Sequence, residues 1–257
     1  MRVDRGRHEA RPRSHVLAAT VPNCVGYDPT YAYELAVIVQ DGLKRMYADN
    51  EDIYYYITTL NENYPHPAMP EGAEQGILKG MHKLRTVEGA KGAPRVRLLG
   101  AGAILREVEA GAELLAKDFG FTSEIWSVTS FTQLRREGLE TERWNMLHPE
   151  EQARKSYVER MLEKGAGPVI AATDYVKTLA DGIRPFVPGR YKVLGTDGFG
   201  RSDTRKKLRS FFEVDRHFVA IAALKALADD QLIPSKRVTE AIKKYGVDPD
   251  RASPALS

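Results

Sequence analysis

Cysteine is nearly missing from the 257-residue sequence, and the single Cys24 excludes a disulfide framework within the chain. Long apolar runs are missing too: nothing approaches the ~20 consecutive residues that a membrane-spanning helix requires. The arginine-rich amino terminus lacks the apolar core of a secretory signal, so the sequence predicts a cytoplasmic protein, with an Arg-rich transit peptide as the alternative. No Gly-x-x-x-x-Gly-Lys-Ser/Thr loop, His-Glu-x-x-His pair, paired-cysteine site or Gly-x-Ser-x-Gly elbow occurs. Their absence removes the usual signatures of nucleotide hydrolysis, zinc catalysis and serine hydrolysis. The six histidines are scattered, and His82, His148 and His217 read as hydrogen-bonded structural groups.

Charge of one sign is confined to one end. Arg2, Arg5, Arg7, Arg11 and Arg13 face only Asp4 and Glu9, a surplus of +3 that equals the net charge of the whole chain. A basic arm on a neutral body lacks the basic face or recognition motif of a nucleic-acid binder, so no nucleic-acid partner is expected. Binding lost at high salt, or on deleting residues 1–14, would mark the opposite case.

A composition of 42% hydrophobic and 28% charged residues suits one large domain, or a domain plus part of another. Asp28-Pro29 opens a helix in which Leu35, Ile38, Val39, Leu43 and Met46 recur at helical spacing up to Tyr47. Residues 53–59, Ile-Tyr-Tyr-Tyr-Ile-Thr-Thr, read as a buried strand. Pro65, Pro67 and Pro70 then make residues 61–72 an extended connection, which we take as a domain boundary.

Beyond it a helix over 71–81 precedes repeated strand-helix units: 96–99 with 104–117, 125–128 with 131–137, 169–172 with 174–186, and 192–194 before a loop and a helix past Ser202. Helices over 208–212, 218–227 and 238–245 close the chain, with Asp215 and Ser235 as caps. The alternation predicts an α/β fold: a mostly parallel sheet flanked by helices.

Gly100-Ala101-Gly102 follows a strand and opens a helix, the setting of a dinucleotide fingerprint. Leu105 replaces the third glycine, and a tight turn is the preferred reading. The run Gly195-Thr196-Asp197-Gly198-Phe199-Gly200-Arg201-Ser202-Asp203 lies at the carboxyl edge of the sheet. Asp197, Arg201 and Ser202 there form a possible binding or interface loop, Arg201 offering a planar donor fork to a carboxylate or phosphate. Alternatively Asp197 and Ser202 cap turns while Arg201 pairs with Asp203 or a partner chain. Residues 142–149, with Trp144 and Met146 among charged groups, suit an interface.

Taken together, Val21-Pro22-Asn23-Cys24, residues 27–34 (Tyr-Asp-Pro-Thr-Tyr-Ala-Tyr-Glu), 54–64 (Tyr-Tyr-Tyr-Ile-Thr-Thr-Leu-Asn-Glu-Asn-Tyr) and 67–72 (Pro-Ala-Met-Pro-Glu-Gly) resemble the homodimeric bacterial pyruvate dehydrogenases. Residues 142–149 and 194–203 match the same family, and the likeness runs from about Ser14 to the carboxyl terminus. It implies a transketolase-like architecture: a basic arm over 1–15 that departs from the family, the end of a pyrimidine-binding domain over 16–64, and a transketolase-like carboxy-terminal domain over 65–257.

The resemblance also implies thiamin diphosphate and magnesium as family cofactors, held by parts expected upstream of Met1. No cofactor or metal ligand is therefore expected within this chain, and Thr196-Asp197-Gly198 does not replace the family's Gly-Asp-Gly run. The family's histidine-rich, substrate-facing loop aligns with residues 6–15. His8 falls at its substrate-side acid or base, although Ala10-Arg11-Pro12-Arg13 replaces an acidic turn.

The implied reaction is an oxidoreductase step that decarboxylates pyruvate and reductively acetylates the lipoyl group of dihydrolipoamide acetyltransferase. Alone the chain is expected to be inactive, bracing a homodimer or a full-length subunit; the alternative is a non-catalytic module that docks on such a subunit. A broken or frame-altered gene is the expected origin, with aggregation or dimerisation through an uncovered sheet edge.

Overall fold

The computed structural model describes residues 13–256. A short helix α1 (Ser14–Ala18) leads into strand β1 (Cys24–Tyr27), helix α2 (Ala32–Leu43) and strand β2 (Tyr54–Ile57). β1 and β2 pair in parallel, with Cys24 opposite Tyr54 and Tyr27 opposite Ile57, and α2 is the crossover that a parallel pair requires. β1 is fully buried, whereas β2 has Tyr54 exposed and its other residues half-buried. The buried strand expected over 53–59 is thus shorter and partly open: among the described residues no third strand covers its far edge.

α2 starts at Ala32, not at Asp28-Pro29. Glu34 reaches back to accept from the backbone N–H of Thr30 at 2.6 Å and of Tyr31 at 3.0 Å, so both donors are satisfied before the helical ladder begins. Residues 58–72 run without regular structure, as their prolines require. Glu62 pins this stretch to the larger unit, 3.0 Å from Arg106 and 2.8 Å from Arg209.

That unit begins with helix α3 (Glu74–Lys79) and strand β3 (Met81–Val87). The helix expected over 71–81 is cut short by Gly80 at φ +112°, a left-handed stop that glycine adopts without strain. Then follow β4 (Arg95–Gly100), α4 (Leu105–Leu114), β5 (Thr122–Val128), α5 (Phe131–Leu147), α6 (Tyr157–Leu162), β6 (Val169–Ala172), α7 (Lys177–Asp181) and β7 (Tyr191–Leu194). Three helices finish the chain: α8 (Arg205–Phe211), α9 (Arg216–Asp229) and α10 (Lys236–Lys244). The strand order is β3-β5-β4-β6-β7, parallel except for the antiparallel edge strand β3, which the sequence pattern had not revealed.

Successive strand residues feed opposite faces. Leu98, Ile125 and Ile170 pack against α4, α9 and α10, while Leu99, Val128, Val169 and Ala171 pack against α5, α6 and α7. Each such buried Leu, Ile or Val side chain contributes about 1.5–3 kcal/mol relative to exposure. A third cluster, Val25, Tyr27, Ile38, Ala73 and Ile77, places α3 against the small sheet and joins the two units.

Two expected helices differ in length. The one over 174–186 is broken into α7 and a 3₁₀ turn, Arg184–Phe186, because Pro185 has no N–H to continue a helix. The one over 131–137 continues to Leu147, where the Arg154 guanidinium lies 3.4 Å from the Trp144 ring centre and the His148 ring stacks on Trp144 at 4.3 Å. Asp215 caps α9 by accepting from the N–H groups of His217 and Phe218, but Ser235 makes no capping bond.

Candidate functional site

Open α/β sheets place chemistry beyond the carboxyl ends of their strands, and here the ends of two sheets converge. Asp28 follows β1, Thr58 follows β2, Gly102 follows β4 and Tyr175 follows β6. The Thr58 hydroxyl is the hub. It lies 2.6 Å from Asp28 Oδ1 and 3.0 Å from Nε2 of His15 on α1, and accepts from the Tyr175 hydroxyl at 3.1 Å. Edge-on contacts with Tyr56 and Tyr175 hold the His15 ring.

These contacts need close backbone approach. Gly102 has φ +50°, and a Cβ there would collide with the Asp28 carboxylate. Thr30 Oγ1 donates to the Gly102 carbonyl at 2.8 Å, and Asp28 N donates to the Thr129 carbonyl at 2.7 Å. The Gly100-Ala101-Gly102 turn is therefore closed over the small unit's own carboxylate.

Burial dominates the electrostatics. It pushes Asp28 from its usual 3.8 up to about 7; the Thr58 hydrogen bond opposes this, and the charges of Asp174 and Glu34 reinforce it. Burial lowers His15 from 6.5 to about 4, so its imidazole is neutral at pH 7. The Tyr175 hydroxyl is pushed far upward, first by burial and then by Asp28. At neutral pH the site can hold or release a proton at Asp28. A cavity of about 10 Å³ lined by His15, Asp28, Thr129, Ser130 and Thr132 has room for about one water.

A second buried group secures the junction. Glu34 Oε1 accepts from Ser127 Oγ at 2.5 Å and lies 2.8 Å from His82 Nε2, while Oε2 takes the two backbone donors of the α2 start. One carboxylate thus meets α2, β3 and β5.

Of the residues singled out from sequence, Asp197 sits beside the hub's elements: its carboxylate accepts from Lys177 N at 3.0 Å, and Thr196 binds the backbone of Asp174 and Tyr175. Arg201 and Ser202 are exposed. The Arg201 guanidinium lies 5.1 Å from the Phe211 ring centre, and α8 is capped by Thr204. His8 lies outside the described residues. Asp28, Thr58 and Tyr175 were not foreseen, and His15 was noted only within the altered loop. Asp28, Thr58 and Tyr175 share one signal, a polar residue placed shortly past a strand, whereas His15 lies on α1 and carries none.

Among the described residues no group of three or more His, Cys, Asp or Glu side chains able to hold a metal occurs, and the cavity at the hub is water-sized.

Two family models match the chain: the pyruvate dehydrogenase E1 component middle domain over residues 4–67 and the transketolase-like C-terminal domain over residues 80–215. The pyruvate dehydrogenase E1 component of Cupriavidus necator is 60% identical over 241 residues, 94% of this chain and 27% of that protein. The Escherichia coli K12 counterpart is 55% identical over 246 residues, 95% of this chain and again 27% of the relative. A transketolase from Campylobacter jejuni has the same fold, at a TM-score of 0.55 and 18% identity over 83% of this chain and 28% of its own. The chain thus spans about a quarter of the length of the E1 relatives it matches. With middle-domain sequence leading into a transketolase-like C-terminal domain, it belongs to the thiamin-diphosphate-dependent family of bacterial pyruvate dehydrogenase E1 components.

Proposed function

We propose that this chain braces a pyruvate dehydrogenase E1 active centre and is inactive alone. Residues 16–64 act as the end of the pyrimidine-binding domain and 65–257 as the carboxy-terminal domain. The reaction served is the decarboxylation of pyruvate with reductive acetylation of the lipoyl group of dihydrolipoamide acetyltransferase, in the cytoplasm. Thiamin diphosphate would supply the electron sink, with magnesium holding its diphosphate, both bound by parts of an E1 protein that this chain does not span. In this reading His8 is the substrate-side acid or base, and the loop with Asp197, Arg201 and Ser202 meets a second copy or a full-length subunit.

The observation that carries the reading is the Glu34 junction. A fully buried carboxylate with four partners, drawn from the turn before α2, from β3 and from β5, fixes one unit on the other, as a brace requires. Calorimetry of the purified chain with thiamin diphosphate and magnesium tests it: no heat is expected, and saturable one-site binding would refute it.

A docking module is the second reading, favoured by the exposed Val39, Leu43, Tyr47 and Tyr54 around the open two-stranded sheet. Added to a full-length E1 subunit, such a module lowers activity in proportion to the complex formed.

A further inference from the structure

The Thr58 hydroxyl has one proton and two lone pairs. Its polar side-chain partners are Asp28 Oδ1 at 2.6 Å, His15 Nε2 at 3.0 Å and the Tyr175 hydroxyl at 3.1 Å. Tyr175 donates and fills one lone pair. The Tyr27 carbonyl, 3.4 Å away, is the longer and weaker acceptor for the Thr58 proton; with that proton directed to the nearer side chains, one of Asp28 and His15 accepts while the other donates.

Two arrangements satisfy the Thr58 hydroxyl, Asp28 Oδ1 and His15 Nε2 together. In the first, Asp28 is ionised and accepts from Thr58, while His15 carries its proton on Nε2 and donates to Thr58. In the second, Asp28 is protonated and donates to Thr58, and Thr58 donates to a bare Nε2, the His15 proton now sitting on Nδ1. We propose that Thr58 relays a proton between His15 and Asp28, so that the imidazole tautomer and the carboxyl protonation change together.

The proton count closes. A solvent proton bonds to His15 Nδ1, the Nε2 proton passes to Thr58 Oγ1, and the Thr58 proton passes to Asp28. One proton has been taken up, the carboxylate has lost its charge, and the ring is neutral at both ends. Burial favours this route: the imidazolium is disfavoured at His15 while Asp28 takes a proton near neutrality.

The surroundings preserve the coupling. Facing Asp28 are Glu34 from α2, Asp174 and Tyr175 after β6, Thr58 after β2 and His15 from α1. Around His15 stand Tyr56 of β2 and Tyr175. Among these described groups no cation pairs with Asp28, so its charge is modulated by the hydroxyl hub and by neighbouring acids. The relay is independent of the E1 reading: it concerns a proton stored where two sheets meet, whichever reaction the assembly performs.

Nuclear magnetic resonance of the whole chain, reading the ring nitrogens of His15 and the carboxyl carbon of Asp28 from about pH 5 to about pH 9, tests it. The expected result is one shared midpoint: as the pH rises, Asp28 ionises and the His15 proton moves from Nδ1 to Nε2 with the ring neutral throughout. A His15 tautomer that stays constant while Asp28 titrates overturns the relay, as does a ring that becomes imidazolium over the Asp28 midpoint. Thr58→Ser keeps the hydroxyl and is expected to retain the shared midpoint, whereas Thr58→Val is expected to separate the two. Coupling that persists in Thr58→Val would also overturn it. Should that variant not fold, the wild-type and serine titrations decide the question by themselves.

Discussion

Glu34 Oε1 lies 2.8 Å from His82 Nε2 with both side chains buried, and this contact bridges 48 residues of sequence to tie α2 to β3. Removing the carboxylate strips partners from His82, from Ser127 and from the backbone N–H groups of Thr30 and Tyr31. Glu34→Ala is expected to cost several kcal/mol, since each buried donor left without a partner costs about 1–3 kcal/mol. Urea unfolding measures the loss, and amide exchange should rise first at the start of α2. A change below about 1 kcal/mol would mean that the junction does not hold the units together.

The hub gives stability an unusual pH dependence. Asp28 is raised from 3.8 to about 7, so the native state holds a proton that the unfolded chain has lost; this contribution is full below the unfolded value and disappears as the pH rises through 7. His15 is lowered from 6.5 to about 4, so its contribution is present above 6.5 and lost as the pH falls through 4. The two oppose each other between those limits. Asp28→Asn removes only the first, and its stability relative to wild type should climb by about 1.4 kcal/mol per pH unit between about pH 4 and about pH 7. Parallel stability curves for the two proteins would contradict the raised carboxyl.

Two glycines of positive φ separate strain from crowding. Gly92, at φ +78°, has nothing within 4 Å of an added Cβ, and Gly92→Ala should cost about 1–2 kcal/mol from backbone strain. Gly102, at φ +50°, would press its Cβ into the Asp28 carboxylate, so Gly102→Ala should be distinctly worse. Thermal melts of the pair check the order, and equal losses would rule out the close approach of β4 to Asp28.

Leu43 and Tyr47 are exposed beside the open sheet. Charged replacements there, Leu43→Lys with Tyr47→Lys, should reduce self-association of the isolated chain with little effect on its melting temperature. Light scattering over a concentration series reads the result, and unchanged association would place the adhesive surface elsewhere.

Periodicity sufficed for most of the large unit. Val96, Leu98 and Leu99, or Val169 to Ala172, are short apolar runs followed by amphipathic stretches, and such local patterns are written in adjacent residues. β1 escaped notice because four residues with a central glycine carry almost no period. β3 escaped because its half-buried pattern, broken by a register shift between Lys83 and Arg85, follows directly on a helix. The helix over 174–186 was overestimated because its apolar spacing outweighed Pro185, while Tyr175 is drawn into a tertiary contact instead.

The candidate site was harder to see than the fold. Asp197 was picked out by its glycine-rich loop, but Asp28 read as a helix start and Thr58 as the end of a strand. Their chemistry arises only when residues far apart in the chain share one hydroxyl.

By itself the sequence determined the α/β alternation, the extended proline-rich connection and the kinship with pyruvate dehydrogenase E1, because propensity, period and motif are properties of neighbouring residues. Only the tertiary structure decided that Asp28 is buried beside Gly102, that Glu34 joins two units and that Thr58 stands between an acid and an imidazole. Burial and hydrogen-bond count depend on what the fold brings within about 3 Å, and desolvation at such a junction raises a carboxyl whose local sequence is unremarkable.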